Sequence, residues 1–302
     1  MSSASGFSAK RVVVFGGSGF LGSHVADALT EKGHDVTIFD LVVSPWCRDN
    51  QTMIVGNLLD RDAVSRVLDG ADIVYHFGGI ADISESRLRP TETLELNIMG
   101  TVNILNACVQ AKVERFVFAS TMYVYNDIGS FYGVSKQCAE LVIKQYSNEY
   151  DLKYNLLRYG SLYGPRAQSW NGVRKYVEAA VKHKSIEYVG TGMERREYIH
   201  VSDAARLSVE ILAEDYVNMA ITVTGHQVLT SLDLLKMIFE ICSIPESIKW
   251  IEPSSANQDH YGITPYKYKP IAASKMVPKH YIDLGHGILE VIEEVHHYLR
   301  DR

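Results

Sequence analysis

Residues 11–32 narrow the folds open to this chain more than any other stretch. RVVVFGG (Arg11–Gly17) is an unbroken β-branched and aromatic run, the pattern of a strand buried on both faces. It passes into Gly16-Gly17-Ser18-Gly19-Phe20-Leu21-Gly22, and a helical pattern follows from Phe20 to Lys32. Glycines at 16, 19 and 22 allow a tight turn and a close backbone approach. The helix N-terminus that follows offers N–H groups and partial positive charge, which suit a pyrophosphate. A glycine triplet alone is a weak signal; the strand before it and the helix after it give it weight.

The alternation continues. Asp35–Asp40 and Met53–Leu58 read as strands, Arg61–Leu68 as a helix and Ala71–Gly79 as a strand. A long helix spans Glu92–Ala111, and a strand spans Arg115–Ser120. A helix containing Tyr132 runs to about Tyr150, and Tyr154–Gly160 is a further strand. Such alternation implies right-handed crossovers and an α/β doubly wound parallel sheet of the Rossmann kind. After Gly164-Pro165 the rhythm breaks, which predicts a smaller C-terminal α/β substrate lobe at the carboxyl edge of the sheet. The expected division is a polar tail over 1–10, a dinucleotide-binding domain over 11–164, and over 165–302 a lobe with segments returning to the core.

Bulk properties exclude several classes. The 302 residues carry a net charge of -6 with a pI near 6.0, so no basic footprint for nucleic acid exists. No apolar run is long enough to span a bilayer, and the polar start has no signal-peptide core. Cys47, Cys108, Cys138 and Cys242 are widely spaced, without metal-ligand or disulfide patterning, so a reducing cytoplasm is expected and no metal is. His296 and His297 fall in a polar helix and read as surface residues.

Two features bear on chemistry. Asp40 ends the second strand, eighteen residues after Gly22. A carboxylate there either accepts hydrogen bonds from an adenosine ribose or caps a turn. In the first role it repels a 2′-phosphate, which favours NAD over NADP. Tyr132 and Lys136 lie one helical turn apart on one face. A phenol is a poor base at neutral pH, and a nearby ammonium favours its ionised form.

These residues resemble the extended short-chain dehydrogenase/reductase family, in its NAD-dependent epimerase/dehydratase branch acting on nucleotide sugars. The resemblance runs from Arg11 to Asp203 through GGSGFLG, GNLLD, HFGG, NIMGT, FASTMYVY, YGVSK, LRYGSLYGPR and RREYIHVSDAA, in that order. It implies NAD bound by Gly16, Gly19, Phe20, Leu21, Gly22 and Asp40. Asn57, where the family usually has Asp, and Leu58 would flank the adenine; Gly78 and Gly79 would line the diphosphate and ribose. Asn97 would support the cofactor site. Thr121, with Ser120 as the neighbouring alternative, would hold the substrate oxygen. Tyr132 would be the acid/base, and Lys136 would bind the nicotinamide ribose and lower the Tyr132 pKa. Arg196 would meet the nucleotide diphosphate, with Ser161 where many members have Asn. Lys267 or Lys269 would stand in for a further cation of the nucleotide pocket.

Departures shape the expected activity. Thr121 and Tyr132 are only eleven residues apart, whereas sugar-nucleotide members usually carry a longer, proline-rich loop. The sugar pocket would then be more open, or be closed by another segment or subunit. Met122 and Tyr123 stand where 4,6-dehydratases have Asp-Glu, so dehydration is disfavoured. The resemblance thus implies a nucleotide-sugar epimerase, similar to UDP-glucose 4-epimerases. A 4-ketoreductase or dehydrogenase, a reductase of a non-sugar alcohol and a non-catalytic NAD-binding protein are the alternatives. A homodimer is implied, through the helices Glu92–Ala111 and Gly133–Tyr150. Ile104, Leu105, Ala139, Leu141 and Val142 could serve that interface or the sheet.

Overall fold

The computed structural model describes residues 9–252, 262–266, 271 and 273–300. The strands are β1 (Arg11–Phe15), β2 (Asp35–Asp40), β3 (Gln51–Val55), β4 (Ile73–His76), β5 (Arg115–Thr121), β6 (Tyr154–Tyr159) and β7 (Ser161–Tyr163). They continue as β8 (Ile186–Val189), β9 (Arg195–His200), β10 (Met219–Val223), β11 (Val228–Thr230), β12 (Ile248–Ile251) and β13 (Ser274–Met276). The helices are α1 (Phe20–Glu31), α2 (Arg61–Val67), α3 (Ile83–Leu88), α4 (Pro90–Leu94), α5 (Gly100–Ala111) and α6 (Ser130–Tyr150). They continue as α7 (Gly172–His183), α8 (Val201–Glu210), α9 (Ser231–Ile241) and α10 (Leu284–Arg300).

Among the described residues, eight strands form one parallel sheet in the order β13-β10-β6-β5-β4-β1-β2-β3. Side chains alternate between its faces. Val12 and Val14 of β1 pack with Val25 and Leu29 of α1 and with α8 on one face. Val13 and Phe15 pack with Ile104 and Leu105 of α5 and Ile143 of α6 on the other. Each such side chain leaves water almost completely and contributes about 1.5–3 kcal/mol. Strand order reverses direction at β1 and β4, and a doubly wound sheet opens a crevice at the carboxyl ends there.

A second layer lies over that crevice. β11, β9 and β7 form a three-stranded sheet, and β12 pairs with β8. α7, α9 and α10 enclose a separate core that includes Val177, Leu235, Ile238, Ile288 and Val291. β10, β13 and α8 come from the C-terminal half yet pack on the main sheet.

The element types match the sequence reading, and the differences lie at the ends that face the crevice. The third strand stops at Val55 and the fourth at His76, so Gly56–Leu58 and Phe77–Gly79 leave the sheet. The helix expected over Glu92–Ala111 begins at Pro90 and contains a π-helical turn at Glu95–Met99, which carries Asn97. Of the apolar residues considered for an interface, Ile104, Leu105 and Ala139 are buried in the sheet core. Val142 packs against that core, and only Leu141 is strongly exposed.

Candidate active site

The crevice is a cleft of about 1540 Å³ that runs from the glycine loop past Thr121, Tyr132 and Lys136 to β7 and β9. At its start, Gly16 N–H donates to Phe39 O, tying the loop to β2. A Cβ on Gly22 would lie 2.3 Å from Gly16 O, and one on Gly16 would lie 2.4 Å from Gly78 N. Both positions therefore exclude a side chain before any ligand arrives. Gly19 differs: its Cβ would meet nothing in the protein closer than 3.3 Å. That contact is tight but less prohibitive than the other two. α1 has no side-chain cap, so the N–H groups of Phe20, Leu21 and Gly22 open into the cleft at the positive end of the helix. This cradle fits a dinucleotide diphosphate.

Asp40 lines the cleft at the end of β2. Its carboxylate accepts from Ser18 N–H at 2.9 Å and from Val42 N–H at 3.4 Å. Capping the turn leaves room for further donors, because a carboxylate has about four acceptor positions. Leu41 and Val42 follow it into the cleft and are exposed, so neither of the next two positions offers a cation to a 2′-phosphate. Asn57 Oδ1 accepts Leu59 N–H, which leaves the amide NH₂ turned outward, and Leu58 is buried beneath. Gly78 and Gly79 line the wall. Asn97 sits behind that wall. Its Oδ1 accepts Ile80 N–H at 2.8 Å, and its Nδ2 donates to Ile80 O and Ser135 Oγ, both at 2.9 Å. It braces the loop against α6 and does not itself line the cleft.

Thr121 and Tyr132 share a hydrogen bond. Ser120, the neighbouring alternative, is spent elsewhere: its hydroxyl donates to Glu140 Oε1 at 2.6 Å. Lys136 Nζ donates to Ala119 O at 2.8 Å and lies 5.9 Å from the Tyr132 ring centroid. Burial lowers the Lys136 pKa to about 8, against the opposing field of Glu140. The expected lowering at Tyr132 is not what the isolated chain displays. Burial pushes its phenol up to about 12, and the Thr121 hydrogen bond only partly offsets this. Relative to a free tyrosine, ionisation costs about 3 kcal/mol more. Desolvation is the larger effect, and the hydrogen bond that Lys136 makes goes to the carbonyl of Ala119.

A buried network under these residues escaped the sequence reading. Glu140 follows Lys136 by one turn and grips Arg158 of β6 through Nε at 2.8 Å and Nη2 at 2.6 Å. Arg158 Nη1 donates to the Tyr125 hydroxyl at 2.8 Å. Glu140, Ser120 and Arg158 are all buried. The network ties β5, which carries Thr121, and α6, which carries Tyr132 and Lys136, to β6. Spacing could have flagged Glu140, four residues after Lys136; nothing local flags Arg158.

At the far end, Ser161 of β7 and Arg196 of β9 line the same cleft, joined by Lys175 of α7, which the sequence reading missed. Lys267 and Lys269 lie outside the described residues. Among the described residues, no group of three or more His, Cys, Asp or Glu could hold a metal, and no helix is long and apolar enough to cross a membrane.

A family model for the NAD dependent epimerase/dehydratase family matches residues 12–221, which spans the glycine loop, Asp40, Thr121, Tyr132, Lys136 and Arg196. The chain belongs to that family. Its fold is that of the family, and its cofactor chemistry is NAD-dependent. It is 26% identical to a dTDP-D-glucose 4,6-dehydratase of Mus musculus, across 94% of this chain and 88% of that protein. It is 28% identical to a UDP-N-acetyl-alpha-D-glucosaminuronate decarboxylase of Bacillus cytotoxicus, across 68% and 72%. Its fold is similar to the crystal structure of UDP-glucose 4-epimerase with UDP-glucose from Thermotoga maritima, with a TM-score of 0.83 and 25% identity over 96% of this chain and 99% of that one.

Beside the hydroxyl of β5 stand two residues that are not carboxylates. Here Thr121 Oγ1 accepts Tyr123 N–H, starting a 3₁₀ turn over Met122–Tyr125. Met122 is buried with Val124 and Tyr125. Tyr123 faces the cleft, with its ring edge-on to Tyr132 at 6.4 Å. Neither side chain can exchange a carboxyl proton.

Proposed function

We propose that this chain is a nucleotide-sugar epimerase that works by transient oxidation of a sugar hydroxyl. One observation carries the reading: Thr121, Tyr132 and Lys136 meet in one cleft with the glycine cradle, and the two residues that follow Thr121, Met122 and Tyr123, are not carboxylates. Bound NAD supplies the acceptor and donor of hydride and a positive ring. Thr121 holds the sugar oxygen. Tyr132 takes the hydroxyl proton, and its high pKa falls when positive charge arrives beside it. Lys136 holds the nicotinamide ribose, and Asn97 keeps the Gly79–Ile80 wall in register. Gly16, Gly19, Phe20, Leu21 and Gly22 hold the diphosphate, Asp40 the ribose, and Asn57 and Leu58 the adenine. Arg196 and Ser161 receive the nucleotide diphosphate of the substrate. The likeness to the Thermotoga maritima epimerase with UDP-glucose favours a UDP-hexose as the sugar nucleotide.

The lobe after Gly164 supplies the substrate end in this reading, and a cytoplasmic homodimer is part of it. The exposed Val134 and Leu141 on α6 and Met99 before α5 support an interface between copies of the chain. A 4-ketoreductase is the second reading, and a reductase of a non-sugar alcohol is the third, favoured by the short Thr121–Tyr132 connection.

The experiment is cofactor analysis of the freshly purified, denatured protein. Stoichiometric NAD supports a closed redox cycle and hence the epimerase. An empty site that binds NADH reversibly supports the ketoreductase. Tyr132→Phe should abolish turnover and leave NAD content unchanged; retained turnover sinks the catalytic assignment.

A further inference from the structure

Thr121 closes β5, and Tyr132 lies in the first turn of α6 only eleven residues later, so the chain must turn back within a short span. The turn uses left-handed backbone at Gly129, φ +97°, and at Ser130, φ +53°. A left-handed serine is costly and persists only where its surroundings hold it. The Tyr123 side chain packs on this turn: a Cβ on Gly129 would lie 3.0 Å from both Cγ and Cδ1 of its ring. The same ring meets the Tyr132 ring edge to face at 6.4 Å, and Tyr123 N–H donates to Thr121 Oγ1 at 3.3 Å. Tyr123 is half-buried and lines the cleft. One residue thus touches the hydroxyl that ends β5, the turn that starts α6 and the ring of Tyr132. The backbone of Tyr132 is held separately, its N–H donating to Ser86 Oγ of α3 at 3.3 Å.

We propose that Tyr123 is a positioning residue, whose ring keeps the Tyr132 phenol within reach of the oxygen that Thr121 holds. The inference rests on the epimerase reading, in which Tyr132 takes the hydroxyl proton. Proton transfer depends steeply on the placement of its partners. Besides the Tyr123 ring, the phenol has the Thr121 hydrogen bond and the Lys136 ammonium, 5.9 Å from its ring centroid. In turnover Thr121 turns to the sugar oxygen and Lys136 to the nicotinamide ribose. The contact with Tyr123 is the one that need not be exchanged, and an edge-to-face pair favours one orientation of the phenol over others.

The NAD-loaded protein is assayed with UDP-glucose in Tyr123→Ala, Tyr123→Leu and Tyr123→Phe, with kcat counted per bound NAD. That count removes any loss of folded protein, which is all that a structural role would cause. Alanine removes the ring, leucine keeps apolar bulk on the turn without an aromatic edge, and phenylalanine keeps the ring. Tyr123→Ala and Tyr123→Leu should lower kcat per bound NAD by about tenfold, with KM within about twofold of the unaltered chain. Tyr123→Phe should recover most of that loss. UDP affinity, read by calorimetry, should hold in all three, because UDP carries no sugar to meet Tyr132. An unaltered kcat per bound NAD in both variants without the ring overturns the inference alone. So does an equal loss in Tyr123→Phe, which would make the hydroxyl responsible, or an effect confined to KM, which would make Tyr123 a binding contact. If the unaltered chain fails to turn over UDP-glucose, or Tyr132→Phe retains turnover, the function reading and the inference fall together.

Discussion

Glu140→Leu should destabilise the protein by about 3–5 kcal/mol, the cost of leaving one partner of a buried ion pair alone. The upper part of that range applies, because the substitution removes more than one bond. Arg158 loses the contacts at 2.8 and 2.6 Å, and the Ser120 hydroxyl loses its acceptor at 2.6 Å. Arg158 keeps the Tyr125 hydroxyl and the face of that ring, 4.7 Å away, which do not neutralise its charge. With an unfolding entropy of about 2.1 cal/mol/K per residue, the melting temperature should fall by roughly 5–8 °C. Arg158→Met should cost a similar amount by stranding the carboxylate. The double variant removes both charges and should be more stable than the sum of the singles by about 2 kcal/mol or more. Urea unfolding of the four proteins at one fixed NAD concentration provides the cycle. Single variants within about 1 kcal/mol of the unaltered chain would refute the argument, as would strict additivity. A functional consequence accompanies the loss. The field of Glu140 raises the Lys136 pKa, so without it the ammonium should lose its proton at lower pH and the alkaline limb of activity should move toward neutrality.

Three further outcomes follow from the geometry. Gly22→Ala puts a Cβ 2.3 Å from Gly16 O, so the loop must open; co-purified NAD should fall by about tenfold or more, and full occupancy in the variant would contradict the cradle. Asp40→Ala should raise NADP affinity relative to NAD by about tenfold, since a like-charge repulsion is removed; fluorescence titration with both cofactors reads the ratio, and an unchanged ratio counts against the ribose role. Burial lowers the pKa of His76 to about 3 and those of His24 and His200 to about 4. The unfolded chain binds these protons from about pH 6.5 downward while the folded chain does not, so stability falls as pH drops from about 6.5 toward 4. The limiting slope is about 4 kcal/mol per pH unit for three sites, and urea midpoints that stay flat between about pH 7 and pH 5 would exclude it.

Much of the first half was legible because its signals are local. The run Arg11–Phe15, the glycines behind it and Asp40 are each set by nearest neighbours: sheet burial on two faces, a turn with no room for Cβ, a strand end. The Tyr132–Lys136 pair follows from helical periodicity alone. Preference for Thr121 over Ser120 was a comparison of two adjacent hydroxyls, and only the Glu140 bond distinguishes them in space. The helix across Asn97 was legible, but not the π-helical turn that aims its amide at Ile80.

By itself the sequence determined the alternation of strands and helices, the place of the glycine loop and the one-turn spacing of Tyr132 and Lys136, because periodicity and backbone sterics act over a few residues. The tertiary structure decided what those residues experience. Burial drives the Tyr132 phenol up and the Lys136 ammonium down, opposite to what an adjacent cation alone would do to the phenol. The partners Glu140–Arg158 and Asn126–Pro265 are separated by 18 and 139 residues in the chain. Desolvation and such long-range pairing depend on which elements pack together, and no local spacing encodes that.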